Sequence, residues 1–359
     1  MFILRKIFIH TGWVLAFLLF LGGPILASEK THSAKNTEEE FDAKTFILDH
    51  VLDAHEWHIA TYTSHGEEKH LTIPLPVILY SKNSGFHVFM SSKLAHGHVY
   101  KGFKMERPAK STGRIVEISQ GGGEEKIQFP LDFSITKTVF GMFISVIIVL
   151  WLLLSLAKSY KKTGISEPKG LQGVIEPVVL FVRDDIAKLI LGEDKYEKYL
   201  PYLLSAFFFI WVNNILGLIP ILRFGANVTG NISVTLVLAI FTFLITQFSA
   251  NKQYWKHIVA TPGVPAWLAP VMIPVELISL LTKPFALMIR LFANIVAGHM
   301  SILTFIGLIF IFKSIYVAPG SIFFVLFMDL LEILVGFLQA YIFTILSAVF
   351  IGQAIAEEH

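Results

Sequence analysis

An arginine deep inside a long apolar stretch limits what this chain can become more than any other feature. The stretch runs from about Pro270 to Phe312, and Arg290 lies near its middle, flanked by Leu287, Met288, Ile289, Leu291 and Phe292. A run of this length and apolarity reads as a membrane helix. A guanidinium at that depth costs at least ~2.5–3.5 kcal/mol on insertion scales and marks a candidate functional site. Lysine could shed its proton to escape the cost; arginine cannot. Snorkelling to the headgroups is the plain alternative, but more than a dozen mostly apolar residues lie on each side, too far for the side chain to reach. Ala286, Ala293, Asn294 and Ala297 share the helical face of Arg290. Small residues around a charge let another helix come close. Two readings stay open: ordinary packing within the chain, or a cation presented to a partner that carries a buried carboxylate.

Composition agrees with a membrane protein. Of the 359 residues 54% are hydrophobic, and the mean hydropathy is +0.64. A net charge of +2 is too small to imply nucleic acid, and the absence of cysteine excludes disulfides, thiolate metal sites and a cysteine nucleophile. No GxxxxGK[ST] phosphate loop is present, so nucleotide binding is not expected.

Residues 1–27 read as a signal peptide. Arg5 and Lys6 precede an apolar core at Trp13–Leu21, Gly22-Gly23-Pro24 breaks it, and Ile25-Leu26-Ala27 is a cleavage site. The alternative is a retained first helix. Residues 28–130 read as a small exported domain, mixed α/β or β-rich. They contain β-like runs at His58–Thr63, His70–Tyr80 (an edge at best, given Pro74 and Pro76), Phe86–Met90 and Arg114–Ile118, and end in the joint Gly121-Gly122-Gly123. Nine of the 13 histidines lie between His32 and His98, but without an HExxH pattern or cysteine they read as surface groups rather than a metal site.

Residues 131–359 read as an all-α polytopic membrane domain with five transmembrane helices at about 135–157, 200–221, 232–250, 270–312 and 322–356. The segment Lys158–Lys198 carries eight lysines and arginines, and Lys252 and Lys256 follow in a later loop, whereas the opposite short loops hold Arg223 and Lys313. The positive-inside rule makes the rich loops cytoplasmic, which places the N-terminal domain outside and the C-terminus inside. At 1.5 Å per residue a 35-residue helix extends ~52 Å, against a hydrocarbon core of ~30 Å. The last two helices therefore form a long tilted hairpin, with Pro284 and Gly298 as bending points.

Ionisable residues fall on defined faces of both. Glu276, Ser279 and Lys283 return within about 40° of Arg290 at 100° per residue, whereas His299 lies opposite. Asp329, Glu332, Gly336 and Gln339 make one stripe of the last helix. Titratable groups in series suit proton movement; a salt bridge that merely holds the helices is the alternative for each. Asn213 and Asn214 fit interhelical hydrogen bonding.

These residues carry a resemblance. KPFALMIRLFANIVAGH (Lys283–His299) with its Arg-Leu-Phe-x-Asn core, LQAYIF (Leu338–Phe343), and NNILGLIP followed by NVTGNISVTLVLAI are similar to subunit a of the rotary (F-type) ATP synthase membrane sector. The resemblance covers about residues 135–359. It implies a non-catalytic, proton-translocating stator subunit with two proton half-channels. It also implies partners: a c-subunit ring, b-type peripheral stalk subunits, the remaining ATP synthase subunits and membrane lipid. No cofactor, metal or nucleic acid is implied, and the location is a bacterial inner membrane with the N-terminal domain periplasmic and the C-terminus cytoplasmic. Arg290 matches the family's essential arginine and Gln339 its neighbouring glutamine. Asn294 and Asn214 match polar residues of that region, Glu276 matches an acidic residue near the cytoplasmic exit, and Ser279 is expected beside it on the way out. Asp329, Glu332 and His299 fall on the entry side. Many bacterial members have Glu where this chain has His299 and His where it has Glu332, so the pair is swapped; contact between the two is expected. Outside the resemblance, a self-contained ion channel or secondary transporter and a purely structural anchor are the competing readings.

Overall fold

A computed structural model of the chain describes residues 53–64, 67–105, 114–121, 124–163, 170–218, 228–259, 266–312 and 316–356. The expected signal peptide, most of the glycine joint and the terminal Glu357-Glu358-His359 lie outside the described residues. The N-terminal part is β-rich. Strands β1 (Glu56–Ser64) and β2 (Glu67–Pro74) pair antiparallel. Strands β3 (Pro76–Ser81), β4 (Gly85–Met90) and β8 (Leu131–Asp132) form a sheet of order β4-β3-β8. Strands β5 (Phe103–Met105), β6 (Ile115–Gly121) and β7 (Glu124–Gln128) form a third, of order β5-β6-β7. A small core of Val77, Leu79, Phe89, Leu94, Phe103 and Ile115 joins the last two.

The run His70–Tyr80, expected as one edge strand, is two strands in different sheets, parted at Leu75. Pro74 ends the first and Pro76 begins the second, positions where a missing N–H breaks no ladder. From that start β3 becomes a central strand rather than an edge. The Pro76 carbonyl still works, accepting the Ile135 N–H at 3.0 Å.

The helical part contains five helices long and apolar enough to cross a membrane. They are α1 (Lys137–Thr163), α3 (Tyr196–Leu218), α4 (Ile232–Ser249), α6 (Ala269–Phe312) and α7 (Ala318–Ile355). Between α1 and α3 lies an unexpected element. Helix α2 (Leu171–Phe181) continues through a π-helical stretch at Val182–Lys188 into Leu189–Leu191. A short α5 (Lys252–Val259) follows α4. Asn231 caps α4, its side-chain oxygen accepting the Ser233 N–H at 2.9 Å, and Pro319 sits in the first turn of α7, where no N–H partner is required.

Helix α3 is central, with every residue from Tyr199 to Ile210 buried. Its aromatic side packs on α7, where Phe207 and Trp211 meet Phe337 at 5.7 and 5.8 Å between ring centroids. Between apolar helices in lipid, close packing and hydrogen bonds must replace the hydrophobic effect. Accordingly Tyr202, Thr242 and Ser347 link α3, α4 and α7 through contacts of 2.6 and 3.1 Å. The two longest helices are far less covered: 11% of the most apolar 18 residues of α6 are buried and 17% of those of α7, against 78% in α3. Helices α6 and α7 run antiparallel along their length, with Phe305 stacked on Phe324 at 5.3 Å, His299 on Glu332, Asn294 on Gln339 and Lys283 on Gln353.

The β-rich part is tied to the start of α1. The Lys137 N–H donates to the Ala54 carbonyl at 2.8 Å, and the Thr138 N–H to Asp53 Oδ1 at 3.0 Å. Beside them His55 Nε2 lies 3.0 Å from Asp132 Oδ2. Burial opposes ionisation of Asp132, but hydrogen bonds and charge from His55, with further hydrogen bonds from Ser134, hold its carboxyl below the ordinary carboxylate range. A depressed carboxyl contributes stability above its unfolded pKa and loses it as pH falls through the folded value. The junction is therefore expected to loosen as pH drops below about 4. Hydrogen exchange at the Phe133, Ile135 and Lys137 amides checks this: their protection should fall with acid in the natural chain, and Asp132→Asn should abolish that dependence.

Candidate functional site

On α6 the 3.6-residue period places Ala286, Arg290, Ala293, Asn294 and Ala297 on one face, and all five are exposed. Behind them Leu287, Leu291 and Ile295 are buried. Among the described residues Arg290 makes no hydrogen bond or ion pair. The chain thus presents a permanent cation outward from a membrane helix, with three alanines and an asparagine on the same exposed face.

Polar contacts lie on either side of it. One turn along α6, Asn294 Nδ2 donates to Gln339 Oε1 at 2.8 Å; Gln339 itself is buried. Farther on, about 14 Å from Arg290 at 1.5 Å per residue, the expected contact is present, with His299 Nδ1 2.7 Å from Glu332 Oε1. Glu332 is 6% exposed. Two glycines make room. A Cβ on Gly298 would stand 2.9 Å from the Glu332 carboxyl, and one on Gly336 would stand 3.0 Å from Asn214 Cβ. Asn214 Nδ2 donates to the Gly336 carbonyl at 3.0 Å, and its Oδ1 accepts the Thr229 hydroxyl at 2.7 Å. Asn214, Thr229, His299 and Glu332 line a cleft of about 220 Å³. Glu332 Oε2 and Asn213 Oδ1 are buried there without a protein partner among the described residues. Such orphaned oxygens need water.

On the other side of Arg290, Lys283 Nζ donates to Gln353 Oε1 at 3.0 Å. A second cleft of about 290 Å³ opens there, lined by Thr246, Gln247, Tyr254 and Lys283, and Gln247 Oε1 is buried without a partner among the described residues. Glu276 and Ser279 lie half-buried farther toward the start of α6, apart from the His299 cluster. Asp329 is half-buried one turn before Glu332. The structure therefore gathers His299, Glu332 and Asn214 around one cleft with Asp329 close enough to feel the charges of His299 and Glu332, joins Asn294 to Gln339, and leaves Arg290, Glu276 and Ser279 separate.

Thr229, Gln247 and Gln353 are not among the site residues the sequence leads one to expect. Gln353 had a signal: fourteen residues beyond Gln339, it continues the same stripe of α7.

The family described as ATP synthase A chain matches residues 139–352, more than half of the chain. The chain belongs to the ATP synthase A chain family. It is 45% identical over 267 residues to ATP synthase subunit a of Chloroherpeton thalassium, covering 73% of this chain and 76% of that protein. With ATP synthase subunit a 2 of Chlorobaculum tepidum it shares 49% over 232 residues, 63% of this chain and 64% of that protein. With ATP synthase subunit a of Anaeromyxobacter dehalogenans the figures are 42% over 271 residues, 72% and 69%. Residues 46–133 match a second family, described as a domain of unknown function, DUF8433. The alignment to the Chloroherpeton subunit a covers more residues than 135–359 contain, so similarity within the subunit a family runs past the motifs into the N-terminal part.

In this chain, Gly298 offers a direct check of the His299–Glu332 contact. Gly298→Ala forces the Glu332 carboxyl to move, and the hydrogen bond to His299 that this disturbs is worth roughly 0.5–1.5 kcal/mol. The variant is expected to assemble but to pump protons several-fold more slowly, read as ATP-driven acidification of vesicles. Gly320→Ala, which meets open space, should pump at the normal rate.

Proposed function

We propose that Arg290 faces a ring of c subunits, each bearing a carboxyl at the same depth, and that the two clefts are the inlet and outlet for protons. As a member of the ATP synthase subunit a family, the chain is a stator component of proton translocation; the proposal concerns how its residues do this. The observation that carries it is the exposed guanidinium, which has no partner among the described residues. A bare cation facing lipid is costly, whereas a moving carboxylate offers neutralisation without permanent pairing.

On this reading a proton enters past Asp329, Glu332, His299, Asn214 and Asn294 and loads a ring carboxylate. The neutral carboxyl can then face lipid, where a charged one is expensive. After most of a turn it discharges past Glu276 and Ser279, with Lys283, Gln353 and Gln247 at the second cleft. Arg290 favours the ionised carboxyl beside it, and Gln339 holds Asn294 next to that meeting point. The fixed positive charge also repels a proton running straight from one cleft to the other. Each charge that crosses supplies ~2.3 kcal/mol per 100 mV, which many steps per turn accumulate for ATP formation elsewhere in the complex.

The same reading sets the geometry. Helix α6 is 44 residues long and α7 is 38. Upright, both would far exceed a ~30 Å core, so the pair lies as a strongly tilted hairpin against the curved ring. The eight lysines and arginines of Lys158–Lys198 face the cytoplasm of a bacterial cell, the β-rich part faces the periplasm, and the C-terminus is inside. The b-type stalk subunits hold this stator against the ring's rotation.

Arg290→Ala is expected to leave the complex assembled and still able to hydrolyse ATP when detergent-released, while ATP-driven proton pumping in vesicles falls to background. Unchanged pumping contradicts the proposal. Proton-coupled transport by the purified chain without ring subunits would favour a self-contained transporter instead.

A further inference from the structure

The sheet β4-β3-β8 has an outer face unlike that of a water-exposed sheet. Side chains alternate across a strand, so every second residue points outward. The register pairs Phe86 with Tyr80 and Tyr80 with Leu131, giving one apolar row across the three strands. Val88 pairs with Ile78, and the Phe133 N–H donates to the Ile78 carbonyl at 2.8 Å, giving a second row. Met90, Pro76 and Ile135 make the third. No outward position in these rows is polar except for the Tyr80 hydroxyl. Phe86, Val88, Leu131 and Phe133 are 65%, 55%, 59% and 58% exposed. The opposite face, with Val77, Leu79 and Phe89, is the one that forms the core. A contiguous exposed apolar surface of this kind marks an interaction site.

Its position identifies the occupant. The third row ends at Ile135, two residues before α1 begins at Lys137. Phe133 is four residues from that start, hence at most ~14 Å away even when fully extended. The Asp53, Ala54, Pro76 and Ile78 hydrogen bonds fix the sheet to the helix rather than leaving it on a free tether. Each headgroup layer is about 5–8 Å deep, and interfacial elements bury their apolar face ~5–10 Å into that boundary. We propose that this sheet lies with its outer face on the lipid surface from which α1 enters the membrane. The β-rich part is then a membrane-resting collar of the subunit, not a domain standing free in water. The inference is independent of the role given to Arg290.

The absence of cysteine makes the test clean. Val88→Cys and Leu131→Cys, on different strands, are nitroxide-labelled in the full chain reconstituted into phosphatidylcholine–phosphatidylglycerol vesicles. Lys82→Cys, at the exposed turn between β3 and β4, serves as the water-facing control. Collision rates with oxygen and with a nickel chelate are measured. The expected result is an oxygen-to-nickel ratio several-fold higher at both face positions than at Lys82. High access to nickel at Val88 and Leu131 would show the face in water and overturn the proposal. Low access to both relaxers would show it covered by protein, a second copy or the segment before Asp53, and would overturn it equally. Because both residues point outward, labelling either leaves the core intact; a β-strand signal equal to that of the unlabelled chain verifies this.

Discussion

Everything in the membrane part turns on an electrostatic debt left open. Arg290 cannot lose its charge, no acid among the described residues meets it, and three alanines share its exposed face. Charges taken out of water are ordinarily paired and hydrogen-bonded. Here the surrounding residues do the reverse: Leu287, Leu291 and Ile295 fasten the back of α6 to the bundle so that the front stays available. On the proposed reading, another molecule brings a negative charge to that face.

The remaining polar groups show what it takes to keep such a face in place. Lipid gives helices little apolar reason to associate, so α6 is held to α7 by discrete polar contacts at Lys283, Asn294 and His299, spaced along it above and below Arg290. Glycines set the tolerances. Gly298 admits the Glu332 carboxyl and Gly336 admits Asn214, each at a distance that a single methyl group would close. Two of those contacts also reach the clefts, through His299 and Glu332 at one and Lys283 at the other.

Much of this was legible in the sequence because helical periodicity is a strong signal over long apolar segments. The exposed face of Arg290 and the stripe containing Glu332, Gly336 and Gln339 follow from 100° per residue. The meeting of His299 with Glu332 came from a different source, the exchange of two residue types relative to the resembled family. Other parts were hidden. The helix from Leu171 onward contains a π-helical stretch with Arg183, Asp184, Asp185 and Lys188, so it has neither an even 3.6 period nor an uninterrupted apolar face. Strand β3 starts with a proline, which reads as an edge until its carbonyl is seen bonded to the chain entering α1. Thr229 and Gln247 are single polar residues whose importance depends on which helix they meet, and no local pattern encodes that.

The most direct measurement asks what touches the arginine's face in the assembled complex. Ala293→Cys sits beside Arg290 on that face, and a second cysteine can be placed next to the ion-binding carboxyl of the ring subunit. Under mild oxidation the account predicts a disulfide between the two subunits in high yield, lost when the ring is absent. Failure to cross-link, together with labelling of the Ala293→Cys thiol by a lipid-soluble maleimide in the intact complex, would show that face open to lipid and contradict the account.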